Sequence, residues 1–289
     1  MQCGTKCRQI LGMASPIPFS PITFTIDLED HLDAYAPDGR WVMNTQRILD
    51  MCAQHNHRAT FFTVGKVAAN PQLLKQIVND GHELALHSYD HIALTKEDPK
   101  TYGAKLRDAK QRFEDITGKA VVGFRAPIFS LTPQSVWVVD VLKELGFTYS
   151  SSVIAGKGAV NGFPGAPNQA FKWQNGLIEL PVPMVNLGVL ALPFLGGVYL
   201  RYLPLPIVRL MQGTLDKTCV LWTYTHPYDV DDSEGYVKLN DGTPAWMNWL
   251  LMNNRRNFLQ KLQVLLGKNA GAPLCERVIT LTNLLVFTP

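Results

Sequence analysis

The chain has 289 residues, 46% apolar and 18% charged, with 27 basic and 24 acidic side chains giving a net charge of +3. This length accommodates one large domain or two small ones around a sizeable core. The composition excludes a disordered polyampholyte and a continuous membrane protein, and the small, dispersed charge disfavours a nucleic-acid groove.

Residues 1–20 read as a tail. Its only apolar patch, Ile10 to Ala14, is shorter than the run of about 7 to 15 residues a secretory leader needs, so a cytoplasmic location is expected. Ile22, Phe24 and Ile26 alternate as a buried strand that runs into the acids Asp27, Glu29 and Asp30. Helical spacing follows over Asn44 to His55, then an apolar strand over Ala59 to Val64. The order repeats: a helix over Pro71 to Asn79, a strand over Glu83 to His87, a helix over Lys100 to Thr117, a strand over Val121 to Phe124, a helix over Pro133 to Leu145 and a strand over Phe147 to Ser151.

Strand–helix units of about 30 residues predict a parallel sheet with helices outside it, functional groups gathering at the strand C-termini. The polar clusters of this chain follow its apolar strands. The segment Val185 to Met211 is apolar but interrupted by Pro193, Gly196, Gly197, Pro204 and Pro206 and carries Arg201 and Arg209, which excludes a spanning helix. A buried insertion is expected there, with a wall or lid touching an apolar substrate or the membrane surface as the alternative. The expected organisation is one domain over 21–265 containing this insertion, with 266–289 as a C-terminal extension. The five cysteines, Cys3, Cys7, Cys52, Cys219 and Cys275, form neither an even framework nor a Cys-x-x-Cys knuckle, so reduced thiols are expected.

The strongest local signal is His87-Ser88-Tyr89-Asp90-His91. Two histidines four apart on a helix face or tight turn can reach one ion. The acidic run Asp27, Glu29 and Asp30 sits at an earlier strand end and can supply a carboxylate ligand while leaving room for water. A second carboxylate there can accept a proton from that water.

These residues carry a resemblance to a known family. FTIDLED at 24–30, ATFFTVG at 59–65, GHELALHSYDH at 81–91 and FRAPIFS at 124–130 resemble, in order, the motifs of the NodB-homology polysaccharide deacetylases, carbohydrate esterase family 4. ELPVPMVNLG and GGVYLRYLP look most like the branch found in exopolysaccharide gene clusters. The resemblance implies an α/β fold, a distorted (β/α)7-type barrel, with one divalent metal; affinity ordering selects zinc as the expected ion, with nickel or cobalt as alternatives. It implies an enzyme that removes acetyl groups from N-acetylated sugars.

By this resemblance Asp27 is the catalytic base, His87 and His91 are metal ligands, Arg125 orients the base and His226 is the general acid. The family's commonest motif has two adjacent aspartates, whereas Leu28 follows Asp27 here, so Glu29 and Asp30 both stand as candidate carboxylate ligands. Ser150-Ser151-Ser152 departs from an aspartate followed by two serines. Tyr89, Pro127, Phe129, Trp222 and Tyr228 are the expected substrate-facing residues, with core packing the competing role for Phe129, Trp222 and Tyr228; Trp246 and Trp249 look structural. His31, His55, His57 and His82 are expected to be structural or surface groups.

Three functions follow from these residues: N-deacetylation of a polysaccharide or lipid-linked sugar, cyclic-amide hydrolysis on the same barrel, and carbohydrate binding without catalysis. The partners expected are an N-acetylated carbohydrate and, through the apolar 185–211 stretch, a peripheral membrane contact, without nucleic acid.

Overall fold

The computed structural model describes residues 20–156, 161–188, 191–216, 218–239 and 243–289. The expected tail at 1–19, with Cys3 and Cys7, lies outside them. The chain enters through β1 (Ile22–Thr23) and β2 (Thr25–Leu28), two halves of one apolar stretch parted at Phe24 and buried throughout. Then come α1 (Arg40–His55), β3 (Thr60–Thr63), α2 (Pro71–Asn79), β4 (Glu83–Leu86), α3 (Pro99–Thr117), β5 (Gly123–Phe124), α4 (Val138–Glu144) and β6 (Tyr149–Ser150).

Local chemistry explains several boundaries. The Asn70 side chain accepts from the Leu73 N–H and the Asp98 side chain from the Lys100 N–H, and each precedes a proline in the first helical turn, where its missing N–H costs nothing. α1 begins ahead of the expected Asn44 because the buried Trp41 anchors its first turn. The expected helix over Pro133 to Leu145 divides into a 3-10 turn, Pro133–Ser135, and α4. Reciprocal capping between Thr132 and Ser135 makes the first turn a unit of its own.

The second half holds β7 (Phe171–Trp173), β8 (Ile178–Glu179), β9 (Val185–Asn186), β10 (Ala191–Leu192), α5 (Gly197–Tyr202), α6 (Leu205–Gly213), β11 (Leu221–Trp222), α7 (Ala245–Met252), α8 (Phe258–Leu266), β12 (Ala270–Gly271), α9 (Leu274–Ile279) and β13 (Leu285–Phe287). One eight-stranded sheet runs β13-β7-β8-β6-β5-β4-β3-β2, and a three-stranded sheet runs β11-β1-β12. Every pair in these two sheets is parallel except β7–β8. The Asp27 N–H donates to the Thr225 carbonyl at 2.8 Å and the Thr223 N–H to the Thr23 carbonyl at 3.0 Å, stitching the sheets together. Between β8 and β11, apolar side chains including Leu180, Val182, Val220 and Trp222 fill the remaining side. This is the distorted α/β barrel expected, with packing in place of a ladder on that side.

One expectation is corrected. Residues 266–289 are not an appended extension: β12 pairs with β1, and β13 pairs with β7. The apolar 185–211 stretch is a β9–β10 hairpin followed by α5 and α6, anchored by the buried Phe194, Leu195, Leu200 and Val208; residues 189–190 lie outside the description. At the strand N-terminal end the buried Glu83 accepts from Tyr149 Oη at 2.8 Å, Thr60 Oγ1 at 2.7 Å and the Cys275 N–H at 2.9 Å. These bonds satisfy a carboxyl whose affinity for its proton is raised by burial. The described cysteines, Cys52, Cys219 and Cys275, are free thiols.

Candidate active site and metal centre

The ends of β2, β4, β5, β6 and β11 converge at one mouth, and the polar residues that follow them meet there. Arg125, fully buried after β5, donates through Nη1 to Asp27 Oδ1 at 2.5 Å and to Thr25 Oγ1 at 2.9 Å. Its Nε and Nη2 donate to the Ser151 carbonyl and hydroxyl at 3.2 and 3.1 Å. The guanidinium lies 3.8 Å from the Phe62 ring centre and 4.3 Å from that of Trp222. A planar cation so held fixes one oxygen of Asp27 and leaves Oδ2 free to act.

Glu29, just past β2, is the next acid outward. Its Oε2 lies 2.6 Å from His91 Nε2 and 4.0 Å from His87 Nε2. Burial alone would raise its pKa, but the His91 imidazole, with His226 and His87 beyond, holds this carboxyl down at about 2. His87 Nδ1–H donates to the Arg125 carbonyl at 2.9 Å, which turns Nε2 toward Glu29. Burial pushes His87 down to about 4, so its ring is neutral and Nε2 carries a lone pair.

The segment joining the two histidines is a turn, with Ser88 and His91 at φ 62° and 55°; it folds the rings to 5.0 Å between centres. Glu29, His87 and His91 each offer a ligand atom, all within 4.8 Å of one another. Glu29 Oε2 is buried and meets no donor besides the His91 imidazole, as suits an oxygen that faces a cation. One carboxylate and two imidazoles are a donor set fit for a divalent metal.

His226 completes the mouth. Its Nε2 lies 4.0 Å from Asp27 Oδ2 and 3.8 Å from Glu29 Oε1. On the other side of the ring, Nδ1 donates to Asp229 Oδ2 at 3.0 Å, and the His226 N–H donates to the same oxygen at 2.8 Å. Burial would lower its pKa, but the Asp229 hydrogen bond and charge, followed by Glu29 and Asp27, raise it to about 9. Asp229 is itself buried and lies 3.2 Å from the Nε of buried Arg201 on α5. Asp229 went unread in the sequence, and Arg201 and Ser151 were read there only as a charge within an apolar stretch and as part of a departure from the family's motif. The only signal for Asp229 was an acid three positions after His226.

Other expected site residues divide. Asp30 is corrected as a metal ligand: its carboxylate accepts from the Leu32, Ala34 and Tyr35 N–H groups at 3.1, 3.1 and 2.9 Å, closing the loop after β2. Trp222 is wholly buried beneath Arg125, and Pro127 is buried as well, so neither presents a face to a sugar. Phe129 is partly exposed, at φ 51° beside Ile128 at φ 48°, with its ring 5.0 Å from that of Tyr224. Tyr228 stacks on His226 with ring centres 4.7 Å apart. Tyr89 is half-buried against Gly65, where an added Cβ would come within 2.7 Å of its ring. His31 Nε2 donates to Glu234 Oε1, 3.1 Å away, and is not in the Glu29 cluster.

Residues 33–150 match a family model described as polysaccharide deacetylase, and residues 151–273 match one described as a domain of unknown function, DUF3473. Asp27 and Glu29 precede the first match, and His226 and Asp229 fall within the second. A peptidoglycan-N-acetylglucosamine deacetylase of Bacillus cereus is 29% identical over 142 residues, covering 45% of this chain and 51% of that protein. The peptidoglycan-N-acetylglucosamine deacetylase PgdA of Listeria monocytogenes is 36% identical over 111 residues, 38% of this chain and 22% of that one. A chitooligosaccharide deacetylase of Bradyrhizobium is 31% identical over 106 residues, 36% and 46% of the two chains.

The matched parts are thus about half or less of these relatives. Among solved structures, a Mycobacterium smegmatis protein assigned to the polysaccharide deacetylases superposes with a TM-score of 0.62 at 17% identity over 96% of each chain, a likeness of fold. Residues 33–150 are thus similar to the polysaccharide deacetylases, and the candidate site they help to form is shared with the DUF3473 region that follows them.

Proposed function

We propose that this chain is a divalent-metal-dependent hydrolase that removes N-acetyl groups from an amino-sugar polysaccharide or a lipid-linked amino sugar. The carrying observation is the convergence of Asp27 Oδ2 and His226 Nε2, 4.0 Å apart, beside the Glu29, His87 and His91 donors. The sugar-directed names of the matched deacetylases support an N-acetylated carbohydrate as substrate. The imidazole-rich donor set favours zinc, with nickel or cobalt as alternatives.

Glu29, His87 and His91 would hold the ion, which supplies Lewis-acid polarisation of an amide carbonyl and acidifies water. Asp27 takes the proton of the attacking water on Oδ2, while Arg125 keeps Oδ1 fixed. Attack at the acetyl carbon gives a tetrahedral intermediate, whose oxygen a backbone N–H near Tyr89 would stabilise. His226, protonated on Nε2 and anchored through Nδ1 to Asp229, gives its proton to the departing nitrogen. The C–N bond breaks, leaving acetate and a free amino sugar. His226 serves this step because it stays charged at neutral pH.

Acetate release by metal-loaded protein from N-acetylglucosamine oligomers and lipid-linked N-acetyl sugars tests the proposal. Asp27→Asn should lower turnover by about a hundred- to ten-thousandfold. Ring opening of a cyclic amide without acetate release would replace this reading with the hydrolase alternative.

A further inference from the structure

The helices behind the mouth show an inverted pattern. α7 has one polar side chain, Asn248, and it points inward: it is buried, donates to the Val237 carbonyl at 2.8 Å and accepts from the Leu239 N–H at 3.0 Å. The outward side chains of α7 are all apolar, led by Trp246 and Trp249, 63% and 53% exposed and one turn apart. A surface helix of a soluble protein normally shows the reverse arrangement. The sequence expectation that these tryptophans are structural is therefore corrected.

The neighbouring helices extend this face. Arg201 of α5 donates to the Leu251 and Asn253 carbonyls at 2.9 and 2.8 Å, and Tyr202 Oη to that of Leu250 at 3.4 Å, joining α5 to α7. Arg209 of α6 donates to the Leu265 carbonyl of α8 at 2.6 Å. Leu210 of α6 is 71% exposed, and Tyr202, Ile207 and Val264 are exposed too.

Charge supplies an independent observation. No Asp or Glu occurs between Glu179 and Asp216, nor between Asp241 and Glu276, while six bases do: Arg201, Arg209, Arg255, Arg256, Lys261 and Lys268. Arg256 and Lys268 are exposed. Both acid-free stretches fold into the same group of helices, α5 to α8. Arg201 and Arg255 are buried against Asp229 and Glu234, so the exposed bases are Arg256 and Lys268; exposed Trp and Tyr among aliphatic side chains, in stretches that carry these bases and no acid, fit an anionic lipid headgroup layer. Among the described residues no helix is long and apolar enough to cross a membrane, so the contact belongs to the surface of the bilayer.

We propose that the outer face of α5 to α8 docks this protein onto an anionic lipid bilayer, with Trp246 and Trp249 entering the headgroup region. The inference stands apart from the deacetylase reading, since it uses none of the mouth residues as ligands. It has a geometric link to them: Arg201, which ties α5 to α7, also reaches Asp229 behind His226.

The test is co-sedimentation of the full chain with vesicles of phosphatidylcholine alone and of phosphatidylcholine mixed with phosphatidylglycerol, with tryptophan quenching by brominated lipid. Binding to the anionic vesicles, quenching there, and a loss of about tenfold or more in partitioning for the doubly substituted W246S/W249S chain are expected. Its circular dichroism and acetate release from a soluble oligomer should remain those of the parent.

Equal binding by the parent and W246S/W249S, or no binding to either vesicle, would overturn the proposal. Sedimentation velocity supplies a further check. A concentration-dependent dimer that W246S/W249S dissolves, without lipid binding, would assign the face to a second copy of the chain.

Discussion

Three acids within four positions acquire three separate tasks. Asp27 is the last inward residue of β2 and meets Arg125, Glu29 turns toward the two histidines, and Asp30 closes its own loop. The strand's period of two puts Asp27 and Glu29 on one side, but β2 ends at Leu28, so periodicity alone could not decide between Glu29 and Asp30. The deciding fact is the N–H groups that Asp30 accepts, which depend on the conformation of the loop after it. Isothermal titration with zinc should accordingly show stoichiometric binding lost in Glu29→Gln and retained in Asp30→Asn. Loss in Asp30→Asn with retention in Glu29→Gln would reverse the assignment.

Asp229 carries a second prediction at this scale. His226 is held protonated up to about 9 by Asp229, so an activity that needs its proton persists below that value and falls as pH rises through it. Removing the Asp229 charge lowers the His226 pKa. Asp229→Asn should move the alkaline limb of kcat/KM to lower pH and reduce turnover at neutral pH by about tenfold or more. An unmoved limb would separate Asp229 from proton transfer. His87, His91, Arg125 and His226 were visible in the sequence through their motifs, whereas Asp229 lay unmarked in a stretch that reads as loop.

At the level of elements, helix starts were the most legible feature. Asn70-Pro71 and Asp98-Pro99 write their caps into the sequence, because an acceptor side chain followed by a residue without N–H matches what a first turn needs. The seating of α5 was not legible. Gly196 and Gly197 look like breakers in an apolar run, yet they are points of close approach: a Cβ on Gly197 would stand 2.1 Å from Asp229 Oδ2, and one on Gly196 the same distance from the Tyr224 ring. The Gly197 N–H also donates to the Tyr224 carbonyl at 2.7 Å.

α5 therefore lies against the loop that carries His226 as closely as backbone allows. Gly197→Ala should displace Asp229, lowering stability by about 1–3 kcal/mol and moving the alkaline limb in the same sense as Asp229→Asn. Thermal unfolding and the pH profile measure the two effects. Parent-like values for both would mean that the helix accommodates the methyl group without disturbing the acid.

Across the whole molecule, the α/β class was legible because strand–helix units of similar length recur from Ile22 to Ser151. Closure was not, since β12 and β13 have two and three residues, too few to show a period. They nonetheless pair with β1 and β7, and the chain between them supplies Leu274 and Val278 to the apolar cluster containing Trp222. A chain truncated after residue 265 should fail to fold cooperatively, with the loss of a sharp thermal transition as the measurable sign. A truncated chain that melts sharply near the parent's temperature would restore the view of 266–289 as an extension.

β1 lies between β11 and β12, so the first strand of the barrel is hydrogen-bonded on both sides to segments made roughly 200 and 250 residues later. Asp27 continues from that strand, and its own N–H is held by Thr225. During synthesis on the ribosome, Asp27 therefore emerges early but waits unanchored until the β11 and β12 segments have been made. The carboxylate at the centre of the mouth is thus among the first residues made and among the last to be seated.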